Sequence, residues 1–139
     1  MNRMFIHDFY IILGVDKTNG TRLIKIGNAR KFETRLSQYP AQYPAFVPIA
    51  KFPIRYLLSN NSQIKTYEDQ MKDICKNHRM QRYDINHNGR LDNEFFVLNK
   101  TRESNVRTIV NLLCMFYTEA DVNDLQLQAE TFYNKAFGD

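Results

Sequence analysis

Two apolar segments joined by an Asn-Gly turn constrain the fold of this chain more than any other feature. Residues 5–15 are rich in Ile, Phe and Tyr, residues 22–26 alternate in character, and Asn19-Gly20 lies between the two segments. An Asn-Gly pair flanked by such segments is the strongest short-range signal for a β-hairpin. The sequence therefore predicts two antiparallel strands near its beginning.

Further strand signals follow at residues 46–58 and 94–98. The first of these segments, FVPIAKFPIRYLL, has the composition of a strand, which Pro48 and Pro53 confine to the edge of a sheet or bend. The second, EFFVL, is a short aromatic and β-branched run. We expect the hairpin and residues 46–58 to form an antiparallel three-stranded sheet flanked by helices.

Apolar residues at helical spacing predict four helices between and after the strands. Asn28 is placed to cap the first helix, and Pro40 is placed to stop it. Ser104 is placed to cap the third helix, and residues 118–121 resemble a capping box at the start of the fourth. The element order β-β-α-β-α-(β)-α-α is that of a small α/β (α+β) domain with an added C-terminal helical pair.

The net charge of +4 is unevenly distributed along the 139 residues. Residues 1–60 contain nine Lys or Arg against three Asp or Glu, whereas residues 61–139 contain ten against twelve. We therefore expect an anionic partner to bind the first half of the chain. A solvated basic surface with no specific partner explains the same distribution.

Cysteine and histidine usage gives no sign of a metal or disulfide framework. Cys75 and Cys114 stand without CxxC spacing or His partners, and His7, His78 and His87 have no ligand spacing. Two unreactive thiols are typical of a reducing compartment. No apolar run reaches the length of a membrane span, and polar residues interrupt the N-terminus too early for a signal peptide. We expect an intracellular protein, cytoplasmic or nuclear, without a membrane partner.

The segment DINHNGRLDNEFF, residues 84–96, resembles a calcium-binding loop at first sight. An EF-hand loop needs a bidentate carboxylate at position twelve, but that position, counted from Asp84, is Phe95, and Glu94 comes one residue early. The loop should also lead into a helix, whereas the residues that follow favour a strand. Asn88-Gly89 instead predicts a turn in which Asx side chains cap backbone groups.

Four polar residues on the predicted elements offer the groups that phosphodiester hydrolysis requires. They are Tyr10 in the first strand, Lys25 in the second, Arg35 on the first helix and Glu68 on the second helix. A carboxylate can hold a divalent cation such as Mg²⁺, and an arginine donates to the phosphate as charge builds. A phenol whose pKa is lowered by a nearby lysine and a metal can take a proton from water. Tyr39, four residues after Arg35, shares its helix face.

Each of these residues also has an ordinary structural interpretation. Tyr10 suits a core aromatic, Lys25 an exposed strand residue and Arg35 a helix-surface charge. Glu68 with Lys72 suits an i,i+4 surface pair worth about 0.2–0.5 kcal/mol. Their joint order and spacing favour a shared site over four independent roles.

The same residues make the chain resemble the GIY-YIG nuclease superfamily. Phe9-Tyr10-Ile11 stands at the position of the GIY strand and Lys25-Ile26-Gly27 at that of YIG, and Arg35 follows Lys25 at the distance of the family's helical Arg. IKIGNARKFETRLSQYP, residues 24–40, is similar to a phage and large-virus branch that has KIG in place of YIG. Glu94-Phe95-Phe96 resembles the closing E-[WF]-F motif of that branch. The resemblance covers residues 5–98.

The resemblance implies a GIY-YIG-like nuclease domain over residues 1–100 and a helical extension over residues 101–139 packed on the same domain. It implies an endonuclease that acts on DNA, with RNA as an alternative, and that uses one Mg²⁺ or Mn²⁺ ion held by Glu68. It further implies a nucleic-acid contact for Arg30 and Lys31 and a structural role for Gly27. Tyr39 stands where other members have a His or Tyr, and it can serve as a second proton carrier.

Several positions depart from the family pattern. Asp8 replaces the first Gly of GIY, and Lys25 replaces the YIG tyrosine, as in some restriction enzymes of the family. Ala29 replaces a Thr that is usual in the viral branch, and Lys72 replaces a His that often follows the helical Glu. The family's active-site Asn has three candidate counterparts, which are Asn86, Asn88 and Asn93.

Two alternatives to an endonuclease remain open on this sequence. A module that kept the fold and lost the chemistry would bind nucleic acid without cleaving it, and the changes at Asp8 and Lys25 motivate this alternative. The C-terminal helices, residues 103–139, are acidic on balance and have long apolar faces. Such faces suit a cover for the core, a homodimer contact or a protein-interaction surface.

Overall fold

The computed structural model describes residues 3–90 and 92–138, which fold around one antiparallel sheet. The strands within these residues are β1 (Phe5–Asp16), β2 (Arg22–Ala29), β3 (Phe46–Leu58), β4 (Arg82–Tyr83) and β5 (Asp92–Val97). The helices within them are α1 (Phe32–Ser37), α2 (Tyr39–Gln42), α3 (Ser62–Asn77), α4 (Arg102–Cys114) and α5 (Val122–Phe137). This is the mixed α/β architecture that the sequence predicted.

The predicted hairpin of β1 and β2 forms the centre of the sheet, whose strand order is β3-β1-β2-β5-β4. Gly20 in its turn has a φ of +75°, a conformation that glycine adopts without the strain a side chain would bring. β3 has the predicted bounds and lies at the edge beside β1, the position that two prolines in one strand favour. β5 and the short β4, which was not predicted, extend the expected three strands to five within the described residues.

β5 covers only part of the side of β2 that faces away from β1. Its described pairs join Leu23 to Val97, Ile24 to Phe96 and Lys25 to Phe95. Residues 26–29 of β2 run past this pairing, although they stay paired with β1 on the other side. We call residues 26–29 the open edge of β2.

Side chains of β1 alternate between two apolar cores on opposite faces of the sheet. Residues 9, 11 and 13 face a large core that α3, α4 and α5 complete. Residues 10 and 12 face a smaller core that Phe32 of α1 and Tyr39 of α2 complete. Helices α1 and α3 therefore lie on opposite faces, so that side chains from both can meet only around an edge of the sheet.

Helix α1 begins differently from the prediction. Asn28 lies in β2 and does not cap the helix, and Lys31, which stands at the cap position, makes no side-chain cap hydrogen bond. The Phe32 amide instead donates to Oδ2 of the buried Asp8 at 2.8 Å. The Asp8 side chain therefore ties the start of α1 to β1.

The single helix predicted after Asn28 is two short helices in the structure. α1 ends at Ser37 and α2 begins at Tyr39, with Pro40 in its first turn. Proline is favoured there because its missing N–H has no partner to lose. Pro40 therefore starts a helix instead of stopping one, and the prediction that Arg35 and Tyr39 share one helix face is wrong.

The two C-terminal helices cover the large core, as one of the predicted alternatives states. Ile109 of α4 and Ala129 of α5 are fully buried in that core. Thr101, and not Ser104, caps α4, and the fourth helix is capped by Asp121, the last residue of the predicted capping box. None of the helices within the described residues has both the length and the apolar character needed to cross a membrane. The domain boundary at residue 100 stays a prediction.

The segment that resembles a calcium loop forms a tight turn that leads into β5. Asp84 accepts from the backbone amides of Asn86 and Gly89 at 3.1 and 2.8 Å. Asn88 accepts from the Arg90 amide at 3.0 Å. The predicted capping of backbone groups by Asx side chains is confirmed, as is the strand that follows.

Candidate active site

Tyr10 of β1 lies directly opposite Gly27 at the open edge of β2. A Cβ atom at residue 27 would stand 2.5 Å from the hydroxyl oxygen of Tyr10 and 2.6 Å from its Cζ. Non-bonded atoms do not approach so closely in a packed interior, so only glycine leaves room for the ring. This close approach is a physical basis for the structural role that the resemblance implied for Gly27.

The two phenols at this edge are buried and hydrogen-bonded to each other. The Tyr39 hydroxyl donates to that of Tyr10 at 2.9 Å, and the two residues are 2% and 0% exposed. Burial raises the pKa of Tyr10, and the hydrogen bond from Tyr39 opposes this only in part. Burial likewise raises the pKa of Tyr39. The predicted lowering of the Tyr10 pKa is therefore not found, and the interpretation of Tyr10 as a core aromatic holds.

Lys25 lies beside the two phenols and is 1% exposed. Its ammonium group forms an ion pair with Glu94 of β5 and lies 4.7 Å from the centre of the Phe95 ring. The alternative in which Lys25 is an exposed strand residue is therefore wrong. The sequence assigned Glu94 only to a closing motif, yet its carboxylate, 29% exposed, joins this buried cation to the surface.

Glu68 of α3 reaches the open edge of β2 from the other face of the sheet. Its Oε2 accepts from Nδ2 of Asn28 at 2.6 Å, and its Oε1 lies 2.9 Å from Nζ of Lys72. Oδ1 of Asn28 is 3.0 Å from Nε2 of His7. The predicted pair of Glu68 and Lys72 is confirmed, but it is half-buried and belongs to a longer chain of contacts.

Sequence reasoning missed Asn28 and His7 as neighbours of Glu68. Asn28 pairs with Phe9 in the hairpin register, and both Phe9 and His7 lie on the α3 face of the sheet. The hairpin register could have revealed this group, because it places the side chain of Asn28, the residue after KIG, on the α3 face of the sheet and not on the α1 face. Of the asparagines proposed earlier, Asn86 and Asn88 lie in the turn before β5. The side chain of Asn93 lies outside the described residues.

Arg35 and Glu68 come from opposite faces of the sheet, and yet the charges of both shift the pKa of Tyr10. After burial and the Tyr39 hydrogen bond, the charges that shift the pKa of Tyr10 belong to Glu94 and Glu68, which raise it, and to Arg35, which lowers it. A charge shifts a pKa in this way only from nearby. The charged groups of Arg35, Glu68 and Glu94 therefore lie near Tyr10.

Arg35 lines a cleft of about 480 Å³ beside α1, which we call the α1 cleft. Its lining residues are Ala29, Arg30, Lys31, Thr34, Arg35 and Gln38. Arg30 also lines a second cleft, of about 500 Å³, at the start of α3. The remaining lining residues of that cleft are Phe5, Ile6, His7, Asn61 and Ile64. The lining of the α1 cleft contains Arg30, Lys31 and Arg35 and no Asp or Glu, so this cleft forms a basic depression of the kind that attracts phosphates.

The residues around Glu68 fit a divalent ion that is held largely by water and substrate. Among the described residues, no group of three or more His, Cys, Asp or Glu side chains converges to form a metal cage. Mg²⁺ commonly takes one or two carboxylates and completes its shell with water and phosphate oxygens. Glu68, 22% exposed and oriented by Asn28, supplies one such carboxylate.

Comparison with known families matches residues 9–114 to a family model described as the T5orf172 domain. The match covers all five predicted site residues and ends at the last residue of α4, so that α5 lies beyond it. No curated protein and no solved structure matched the chain.

Proposed function

Because the chain belongs to the T5orf172 domain family, a phage-associated domain of nuclease type, we propose that it is a metal-dependent endonuclease that hydrolyses DNA phosphodiester bonds. The family supports a nuclease or DNA-binding role. The narrower assignment, a GIY-YIG-type nuclease with Lys25 at the YIG tyrosine position, is supported by the KIG and EFF motifs on β2 and β5.

The observation that carries this proposal is that Glu68 is hydrogen-bonded to Asn28 of β2, while Arg35 lines the cleft beside the same end of that strand. An arginine supplies fixed N–H donors to a phosphate, and a carboxylate supplies a ligand to a hard divalent cation. Both groups border the basic α1 cleft or the open edge of β2, where a DNA backbone can approach without displacing a strand. One carboxylate and one guanidinium at a single edge suit the reaction of a phosphodiester.

The site residues fall into two groups: those that contact the substrate or the metal ion, and those that position the contacting residues. Arg35 contacts the scissile phosphate and stabilises the charge that builds on it. A divalent ion on Glu68, when bound, makes water a stronger nucleophile and stabilises the leaving oxygen. Tyr10, Tyr39 and Lys25 are positioning residues, because burial keeps them from water and from the substrate.

The experiment that tests this proposal is relaxation of supercoiled plasmid by the purified protein in Mg²⁺ or Mn²⁺. We expect nicked product from the wild type and a loss of at least about a hundredfold in rate for Glu68→Gln. Asp69→Asn is the matched control, since Asp69 is the next acid on α3 and pairs only at the surface with Lys65. Equal cutting by wild type and Glu68→Gln would contradict the assignment.

A second candidate is a nucleic-acid-binding module without cleavage activity. It is favoured by the burial of Tyr10, Lys25 and Tyr39, none of which is more than 2% exposed. Side chains so buried cannot take a proton from a water molecule at the surface. Such a module would bind DNA with strong salt dependence and leave plasmid intact in both metals. Nicked product that disappears with Glu68→Gln would exclude it.

A further inference from the structure

Glu68 and Lys72 form an ion pair that differs from an ordinary pair on a helix surface. Their side chains are 22% and 17% exposed and their charged atoms are 2.9 Å apart. Lys65 and Asp69, with the same i,i+4 spacing on the same helix, are 80% and 51% exposed and 3.4 Å apart. Water therefore screens the first pair less than the second, and its charges interact more strongly.

The other oxygen of the Glu68 carboxylate is held by a hydrogen-bond network on the strands. An ionised carboxylate only accepts hydrogen bonds, so the Asn28 amide group must point its Nδ2 at Oε2, at 2.6 Å. Oδ1 of Asn28 then faces Nε2 of His7 at 3.0 Å, and because that oxygen is an acceptor, His7 carries its hydrogen on Nε2. His7 is buried, so this side of the carboxylate is rigid.

The two sides of the carboxylate therefore differ in what a cation could displace. Asn28 is a neutral partner on a strand, whereas Lys72 is a cation on a flexible four-carbon stem. A divalent ion that approaches Oε1 meets the ammonium group of Lys72, which has the same sign of charge and occupies the same oxygen. If both lay against Oε1, two like charges would meet at one oxygen, and their repulsion would weaken the binding of the ion.

We propose that Lys72 is an internal counter-cation that competes with the divalent ion for Glu68 and so holds the metal affinity of the free protein low. This inference rests on the proposed function, in which Glu68 is the metal ligand. It assigns a role to a lysine that the proposed reaction does not otherwise use. The metal then binds only when the Lys72 side chain turns away from the carboxylate.

The test is a titration of the DNA-free protein with Mn²⁺, followed by the electron paramagnetic resonance signal of the free ion. We expect Lys72→Met to bind Mn²⁺ about three- to tenfold more tightly than the wild type, because the competing charge is gone. Lys72→Arg keeps the charge and should bind as the wild type does. Lys65→Met removes a charge from the same helix without touching Glu68, and should change the affinity by less than about twofold.

Glu68→Gln separates the two possible failures. If Glu68→Gln weakens Mn²⁺ binding but Lys72→Met leaves it unchanged, the competition is refuted while the metal site of the proposed function stands. If Glu68→Gln does not alter Mn²⁺ binding, the metal assignment itself is refuted. Lys72→Gln serves as a second neutral variant if circular dichroism shows that Lys72→Met unfolds, and unchanged affinity in it would refute the competition equally.

Discussion

The ammonium group of Lys25 lies among three aromatic rings at the end of a buried side chain. Its nitrogen is 5.9 Å from the ring centre of Tyr39, 5.2 Å from that of Tyr43 and 4.7 Å from that of Phe95. Rings attract a cation, by about 0.5–2 kcal/mol each in favourable cases, but do not replace its hydration. The carboxylate of Glu94 supplies a counter-charge to this buried cation.

Removing the two partners of this pair should have unequal effects on stability. We expect Glu94→Gln to lower the free energy of unfolding by about 2–4 kcal/mol, because it removes the carboxylate that is paired with a cation only 1% exposed. Lys25→Met removes the buried charge and keeps the stem, and should cost less than about 2 kcal/mol. Urea denaturation of both variants measures the difference, and a larger loss for Lys25→Met would contradict this view of the pair.

At the scale of single residues, the sequence indicated which side chains are candidates for the site, but not how exposed those side chains are. The spacing from Lys25 to Arg35 made both candidate site residues, since spacing is read directly from the chain. Exposure depends on which segments pack over a side chain, and Tyr39 and Tyr43 come from the region of α2, whose separate helix was not predicted. The sequence therefore left open an exposed position for Lys25, although three rings and a carboxylate enclose it.

At the scale of elements, Asp16 connects the hairpin turn to the segment between β4 and β5. The carboxylate is fully buried and accepts from the amide and hydroxyl of Thr18 at 2.9 and 2.6 Å. It also accepts from the Tyr83 hydroxyl at 2.6 Å and lies 3.1 Å from Nε2 of His87. Burial alone would raise the pKa of Asp16, but the hydrogen bonds from Thr18 and Tyr83, with His87 nearby, bring it below its usual value.

This lowered pKa predicts an acid-sensitive connection. Folded Asp16 binds its proton less tightly than unfolded Asp16, so its contribution to stability is present above the usual carboxyl pKa and is lost as pH falls through the folded pKa below it. Urea unfolding at a series of pH values between about 2 and 7 measures this loss. We expect Asp16→Asn to be less stable than the wild type near neutral pH, and to lose less of its free energy of unfolding as the pH falls. If the variant and the wild type lose the same free energy of unfolding over this pH range, the prediction is contradicted.

The elements differ in how far their sequence determines them. β3 was predicted with its observed bounds because its apolar content and its two prolines both point to an edge strand. The break between α1 and α2 was missed because a proline both ends one helix and begins another, and only packing decides which. The start of α1 depends on Asp8, a partner 24 residues away, which no local cap signal reveals.

The whole molecule presents its basic depression on the α1 side of the sheet. Arg30 and Lys31 are exposed there, and Arg30 lines both clefts. Lys51 and Lys135 line a different cleft, between β3 and α5. The uneven charge of the sequence predicted an anionic partner for the first half, but only the fold shows which of its cations lie together.

This arrangement predicts the salt dependence of DNA binding. Each phosphate contact contributes about 0.9 to the slope of log affinity against log salt concentration, so Arg30→Ala with Lys31→Ala should reduce the slope by about two. Lys51→Ala with Lys135→Ala removes the same charge from the other cleft and should leave the slope unchanged. Fluorescence anisotropy of a labelled duplex at several salt concentrations measures both, and equal effects of the two double variants would argue against a localised interface.

The central claim is that Arg35 and Glu68, from opposite faces of the sheet, serve one reaction at the open edge of β2. Rate constants for plasmid nicking by Arg35→Lys, Glu68→Asp and the double variant test it most directly. Residues that act as a unit show non-additive losses, so the double variant should be about as slow as the slower single variant. Losses that multiply in the double variant, as for independent positions, would contradict the claim.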